Sequence, residues 1–372
     1  MNIGLDLRSL YNQKITGIEK YTISLVNELL RIKSNQENYF AVGNSSLLEN
    51  KNKLSKDYEL PTTSRVDIAH KYLAMKGYTE NWDIFFSPYQ PIPERRTYKG
   101  VITVHDCLPL KFPDFFPESS YTFFDVELRK SLESVDHIIT VSNSTKKDII
   151  QYFNVDESKI TVTHLSGLNT RKIGNLTTKQ KKDILDLYKI NGSFILSVCT
   201  FEPRKNLIGT IKAYQIIRSK INERIKLVLV GGLGWHYNEL LRLIDNNIYK
   251  EDIVITGYIP ETHLPILYEK AMTFVYPSFY EGFGLPVLEA MGCGAVVVTS
   301  NVSSLPEVGG EAVLYCDPFD VESIADAIMT VILSNDLRDT LSNKGIERSK
   351  LFTWEKTASK TLGIFYKVLN EL

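Results

Sequence analysis

The sequence predicts an α/β protein built from two doubly wound parallel sheets. Short apolar runs rich in Val, Ile and Leu recur along the chain without alternating with polar residues, the pattern of parallel strands buried on both faces. Longer stretches of helical character separate them, as in βαβ units. The runs fall into two sets around a polar interval, and 372 residues exceed what one ordinary core organises.

In chain order, the first set is NIGLD (2–6), YFAVG (39–43), DIFFS (83–87), VITVHD (101–106), HIITVS (137–142) and ITVTH (160–164). The second is FILSVC (194–199), KLVLVGG (226–232), DIVITG (252–257), TFVYPS (273–278), AVVVTS (295–300) and AVLY (312–315). Between them, SGLNTRKIGNLTTKQKK (166–182) is polar and lacks apolar periodicity, as a linker should. The predicted division is a first domain at 1–170, a linker at 171–192 and a second domain at 193–355. KTASKTLGIFYKVLNEL (356–372) follows the last strand and reads as a closing helix. Residues 44–81 break the rhythm. They are polar and carry Lys51, Lys53, Lys56, Arg65, Lys71 and Lys76. They read as a solvated loop with a surface helix, or as an acceptor- or membrane-facing element.

Bulk composition excludes several classes. A hydrophobic content of 43% with 23% charged residues is that of a globular chain. A formal net charge of −1 gives no case for a nucleic-acid binder. The four cysteines at 107, 199, 293 and 316 have no C-x-x-C spacing, so neither a zinc set nor a disulfide framework is expected. Reduced thiols suit a cytoplasmic protein. MNIGLDLRSL lacks the basic-then-apolar run of a signal peptide, and no apolar run approaches the ~20 residues that span a bilayer.

The most informative segment is SFYEGFGLPVLEAMGCG (278–294). Pro286 suits the first position of a helix, and Gly292 and Gly294 suit its end. Glu281 then lies in the loop before the helix and Glu289 inside it. The amides of Gly282, Phe283, Gly284 and Leu285 form a helix start open to an anion, beside carboxylates able to accept from hydroxyls. Amides for phosphate and carboxylates for hydroxyls describe a nucleotide-sugar site. A second basic element follows the strand FILSVC. Arg204 and Lys205 stand between that strand's end and a helical pattern, where a diphosphate is well placed. Arg offers a planar fork and Lys a point charge.

These segments resemble retaining glycosyltransferases of family four, enzymes of the GT-B fold, in which two Rossmann-like doubly wound domains face each other across a cleft. Further segments carry the resemblance in the family's order: ITGIEKYT (15–22), HDCLPLKFPDFFP (105–117), TVSNSTKKDI (140–149), CTFEPRKNL (199–207) and FTWEKTA (352–358). The motifs are most similar to bacterial mannosyltransferases that assemble O-antigen or capsule. The resemblance implies that the last helix packs back on the first domain. It implies that Glu281 faces the transferred sugar, that Glu289 accepts from the ribose, and that His105 reaches the donor sugar. Gly17 would let backbone approach the diphosphate, with a plain turn glycine as the alternative. Ile259, with Tyr258 and Pro260, lines the base pocket or belongs to core and turn.

The chain contains no Asp-x-Asp pair. Arg204, Lys205 and the amides of 282–285 are therefore expected to stabilise the leaving diphosphate, with no metal and no other cofactor. The expected partners are a nucleotide-sugar donor, GDP-mannose first, and a glycan or lipid-linked glycan acceptor. Lipid-linked acceptors leave peripheral contact with the cytoplasmic membrane face open. The alternatives are a UDP- or deoxy-sugar-dependent transferase of the same fold and a nucleotide-sugar 2-epimerase. A dinucleotide oxidoreductase is disfavoured, because LVGGLG (229–234) is not a G-x-G-x-x-G fingerprint. A non-catalytic sugar-binding protein is disfavoured by the intact Arg204, Lys205, Glu281 and Glu289.

Overall fold

The computed structural model describes residues 1–11, 17–42, 66–68, 82–89, 91–92, 97–167 and 176–370. It divides into two compact units, Met1–Leu165 with Thr353–Leu372, and Ser166–Phe352.

The first unit holds a seven-stranded sheet of β1 (Asn2–Asp6), β2 (Asn38–Val42), β3 (Val66–Ile68), β4 (Ile84–Ser87), β5 (Lys99–Val104), β6 (His137–Thr140) and β7 (Ile160–Val162). The order is β3-β2-β1-β4-β5-β6-β7 and the pairs are parallel, with Gly4 opposite Phe40 on one side and Phe85 on the other. The central strands β4 and β6 are buried over their full length and β5 from Gly100 on, so their apolar runs are continuous. The first helix (Gly17–Ile32) buries Tyr21, Leu25, Val26, Leu29 and Leu30, an i, i+4 stripe.

The last helix, Trp354–Asn370, belongs to this unit. It packs along the first helix, with Phe365 5.3 Å from Phe86 of β4. Thr357 Oγ1 donates to the carbonyl of His164 at 2.6 Å.

The second unit holds β8 (Phe194–Val198), β9 (Lys226–Val230), β10 (Ile253–Gly257), β11 (Thr273–Tyr276), β12 (Val297–Ser300) and β13 (Leu314–Cys316). Their order is β10-β9-β8-β11-β12-β13, again parallel. The order reverses between β8 and β11. In such sheets the crevice beyond the strand ends at that reversal is where ligands bind.

Two expectations need amendment. The stretch read as a linker contains the helix Thr178–Leu187, inside the second unit. None of its residues is buried, which is why apolar periodicity was absent. A reciprocal capping box between Thr177 and Gln180 starts it. The polar stretch 44–81 lies outside the described residues except for β3, a three-residue edge strand too short to show a pattern; the surface helix expected there lies outside them too. The segment TVSNSTKKDI opens the helix Asn143–Phe153, which Ser142 caps by accepting from the Thr145 amide at 3.1 Å. Among the described residues no helix is long and apolar enough to cross a membrane.

Candidate functional site

In the second unit, two loops leave the sheet at its reversal point: 199–206 after β8 and 277–284 after β11. The first is shaped by close backbone packing. Gly231 sits at φ +140°, and a Cβ there would lie 1.8 Å from the carbonyl oxygen of Cys199. A Cβ on Gly234 would lie 2.9 Å from that of Phe201. Gly231 and Gly234 of LVGGLG therefore make room for the neighbouring loop. Pro203–Lys205 form a single 3₁₀ turn. Asn206, left-handed at φ 55°, caps the helix Leu207–Lys220 through Oδ1. Its Nδ2 donates to the carbonyls of Pro277 and Pro318 at 3.1 and 2.7 Å. The Phe279 amide donates to the Arg204 carbonyl at 2.9 Å. These bonds fix the two loops to one another.

Within that frame Arg204, Lys205 and Glu281 meet. Glu281 Oε2 accepts from Arg204 Nη1 and Oε1 from Lys205 Nζ, both at 2.7 Å. Lys205 Nζ also donates to the Tyr276 hydroxyl at 2.7 Å. Arg204 Nε lies 2.5 Å from Glu202 Oε1. Glu202, Lys205 and Glu281 are all buried. Burial opposes the charge of Glu281, but Arg204 and Lys205 override it and hold the carboxyl at about 2. The Glu281 amide donates to Ser303 Oγ at 3.1 Å, and Ser304 Oγ donates to the Glu281 and Phe283 carbonyls at 2.9 and 2.8 Å.

The signature helix runs Leu285–Gly292 with Pro286 in its first turn. Gly284 precedes it at φ +103°, and a Cβ there would lie 2.8 Å from Leu305 Cδ2. No side chain caps this start; the Val287 and Leu288 amides donate to the Gly284 carbonyl at 3.0 and 3.3 Å, and Pro286 brings no N–H. The helix ends in a Schellman arrangement, Ala295 N–H to the Ala290 carbonyl and Gly294 N–H to that of Met291, with Gly294 at φ +77°. Glu289 lies on this helix, 6% exposed. Burial raises the Tyr268 phenol well above its ordinary value, and the charge of Glu289 adds to it. Ile259, after β10, is buried at 4%, whereas Tyr258 beside it is 72% exposed.

His105 and Gly17 belong to the first unit. Gly17 opens the first helix; residues 15 and 16 of its motif lie outside the described residues. His105 follows β5, and its backbone carbonyl accepts from Thr145 Oγ1 at 3.0 Å. His105 Nε2 lies 2.9 Å from the carbonyl of Pro88. A carbonyl only accepts, so Nε2 carries the hydrogen and Nδ1 the lone pair. The ring meets Tyr21 edge-on at 4.7 Å. Burial lowers the imidazole to about 4, against the Pro88 hydrogen bond and the charge of Glu19. His105 is therefore neutral near pH 7.

Sequence reasoning overlooked Tyr276, Glu19 and the serines 303 and 304. A Tyr closing a strand at the reversal point signals the first. An acidic residue in the opening turn of an apolar helix signals the second. The serines carry no sequence signal, because their role depends on β12 lying beside β11. Among the described residues no three His, Cys, Asp or Glu side chains stand together as a metal site.

Comparison with known proteins gives the family. Residues 15–165 match Glycosyltransferase Family 4, and residues 182–348 match Glycosyl transferases group 1. The chain is 37% identical over 287 residues to O-antigen chain mannosyltransferase B of Escherichia coli, covering 77% of this chain and 74% of that protein. It is 27% identical to the serotype-specific mannosyltransferase WbdA of Escherichia coli, over 82% of this chain but only 37% of WbdA. The crystal structure of a glycosyltransferase from Rickettsia africae superimposes with a TM-score of 0.75 at 17% identity, covering 100% of this chain and 99% of that one. The fold is GT-B, and the chain belongs to the family-four, group 1 glycosyltransferases that include the O-antigen mannosyltransferases.

Proposed function

We propose that the enzyme transfers a hexose from a nucleotide-sugar to a glycan or lipid-linked glycan acceptor in surface polysaccharide synthesis, with retention of anomeric configuration and without a metal ion. The observation that carries this reading is the pairing of Arg204, Lys205 and Glu281 beside an uncapped helix start, at the reversal point of the second sheet. Arg204, Lys205 and the amides of Gly282, Phe283, Gly284 and Leu285 would meet the charge that grows on the departing diphosphate. Glu281 would accept from hydroxyls of the transferred sugar and Glu289 from the ribose. Ile259 would back the base, Gly17 would admit the diphosphate, and His105 would contact the donor sugar as a neutral imidazole. In a front-face transfer the departing phosphate oxygen helps deprotonate the acceptor hydroxyl.

Mannose from GDP-mannose is the favoured donor, supported by the mannosyltransferase names of the relatives. Metal independence is supported by the missing Asp-x-Asp pair and the two cations at the site. The test is turnover of GDP-mannose and a panel of UDP- and deoxy-sugars in excess EDTA, with the anomeric configuration of the product read by NMR. Retained product from GDP-mannose is expected. Loss of transfer that Mg²⁺ or Mn²⁺ restores, or an inverted product, would refute the mechanism. Turnover of UDP-sugars alone would move the donor assignment.

A further inference from the structure

The two cations assigned to the diphosphate are already engaged. Glu202, Arg204, Lys205 and Glu281 form a set with no net formal charge, and their side chains are 3%, 18%, 8% and 8% exposed. Glu281 accepts from both cations at 2.7 Å through separate oxygens. Of the three hydrogens on Lys205 Nζ, one goes to Glu281 and one to Tyr276. A diphosphate entering this site does not meet waiting positive charge. It meets cations whose field is offset by a buried carboxylate of its own sign.

Resting on the reading of this site as the donor site, we infer that Glu281 is a built-in counter-ion that competes with the diphosphate for Arg204 and Lys205, and so weakens the product nucleoside diphosphate relative to the intact donor. The asymmetry follows from what each ligand brings. An intact nucleotide-sugar carries hydroxyls that donate to Glu281, replacing the bonds it gives up when the cations turn to phosphate. The product has lost the sugar. It places two anions on one pair of cations and returns nothing to the carboxylate. In low-dielectric surroundings that repulsion is only weakly screened. The same carboxylate would then serve selection of the sugar and release of the spent nucleotide.

Calorimetric titration of the full-length chain tests this, with GDP and UDP as probes and GDP-mannose as the donor, on wild type, Glu281→Gln and Arg204→Ala. Glu281→Gln keeps the shape and removes the charge. It should bind the nucleoside diphosphate about tenfold more tightly, within the range of ordinary couplings between neighbouring groups, and lose its preference for the sugar-bearing ligand. Affinity equal to or below that of wild type, while Arg204→Ala binds more weakly, would overturn the inference and leave the donor site standing. Unchanged affinity in Arg204→Ala, or no binding of either probe by wild type, would instead remove the donor site. If Glu281→Gln does not fold, Glu281→Asp retracts the charge by one methylene and decides the question by the same sign, tighter supporting and equal or weaker refuting.

Discussion

The second unit's loops and the surroundings of His105 treat polarity in opposite ways. Around Arg204, Lys205 and Glu281 the charges are formal, largely withdrawn from water and satisfied by one another. Around His105 the wall is aromatic and the imidazole is kept neutral. Both regions depress a proton affinity, but for different reasons. Glu281 is held down by cations, against burial, and His105 by burial itself. A region built on paired charges can answer a charged leaving group. A region built on a desolvated neutral ring suits a group that stays uncharged, such as a sugar hydroxyl.

The variants that probe this contrast begin with Arg204→Ala and Lys205→Ala. Each should lower kcat by about 10²–10³, the usual size for a lost contact to developing charge. A change in KM alone would mean that only uniform binding was lost. Next, His105→Ala should reduce transfer by on the order of 10² through misplacement of the donor sugar, while titration shows normal nucleoside diphosphate affinity. Equal loss of nucleotide affinity would dissolve the distinction between the two regions. Glu289→Gln should weaken both donor and free nucleoside diphosphate by roughly ten- to a hundredfold, as for a hydrogen bond to a charged group. Loss for the donor alone would move Glu289 off the ribose.

The smallest effect concerns acid stability. Both folded values lie below the unfolded ones, so both groups stabilise at neutral pH and lose that contribution as pH falls. The contribution of His105 should fade between its ordinary value near 6.5 and about 4. That of Glu281 should fade between 4.5 and about 2. The slope is at most about 1.4 kcal/mol per pH unit for each proton. Unfolding midpoints of wild type against His105→Gln and Glu281→Gln over pH 2–8 would separate the windows. One shared window would contradict the two causes.

Much of the fold was legible because parallel strands buried on both faces leave continuous apolar runs. Each expected strand is found within two residues of its reading. The exceptions are elements that bury little. Thr178–Leu187 hid because none of its residues is fully buried, although its Thr177–Gln180 box was there to be seen. At the site, residue types were legible and pairings were not. Glu281 meets partners 76 and 77 residues away, and only the β8–β11 adjacency brings them together. The sequence could therefore present Glu281 and Lys205 as separate contacts to the donor, without revealing that they hold each other first.

The last helix also bears on how the protein comes to be made. The first unit takes in Thr353–Leu372, while the second is one uninterrupted stretch, Ser166–Phe352. A ribosome releases Met1–Leu165 long before the helix that covers Tyr21 and Phe86 exists. At about 5–20 residues per second the wait is roughly 10–40 s. The second unit can finish first, and the first stays open until Thr353–Leu372 clears the exit tunnel. A stop codon that removes only Trp354 onward would spare every residue of the second unit's charged cluster. Its damage would fall on the opposite end of the chain, where the nascent sheet would keep an uncovered apolar face available to chaperones or to aggregation.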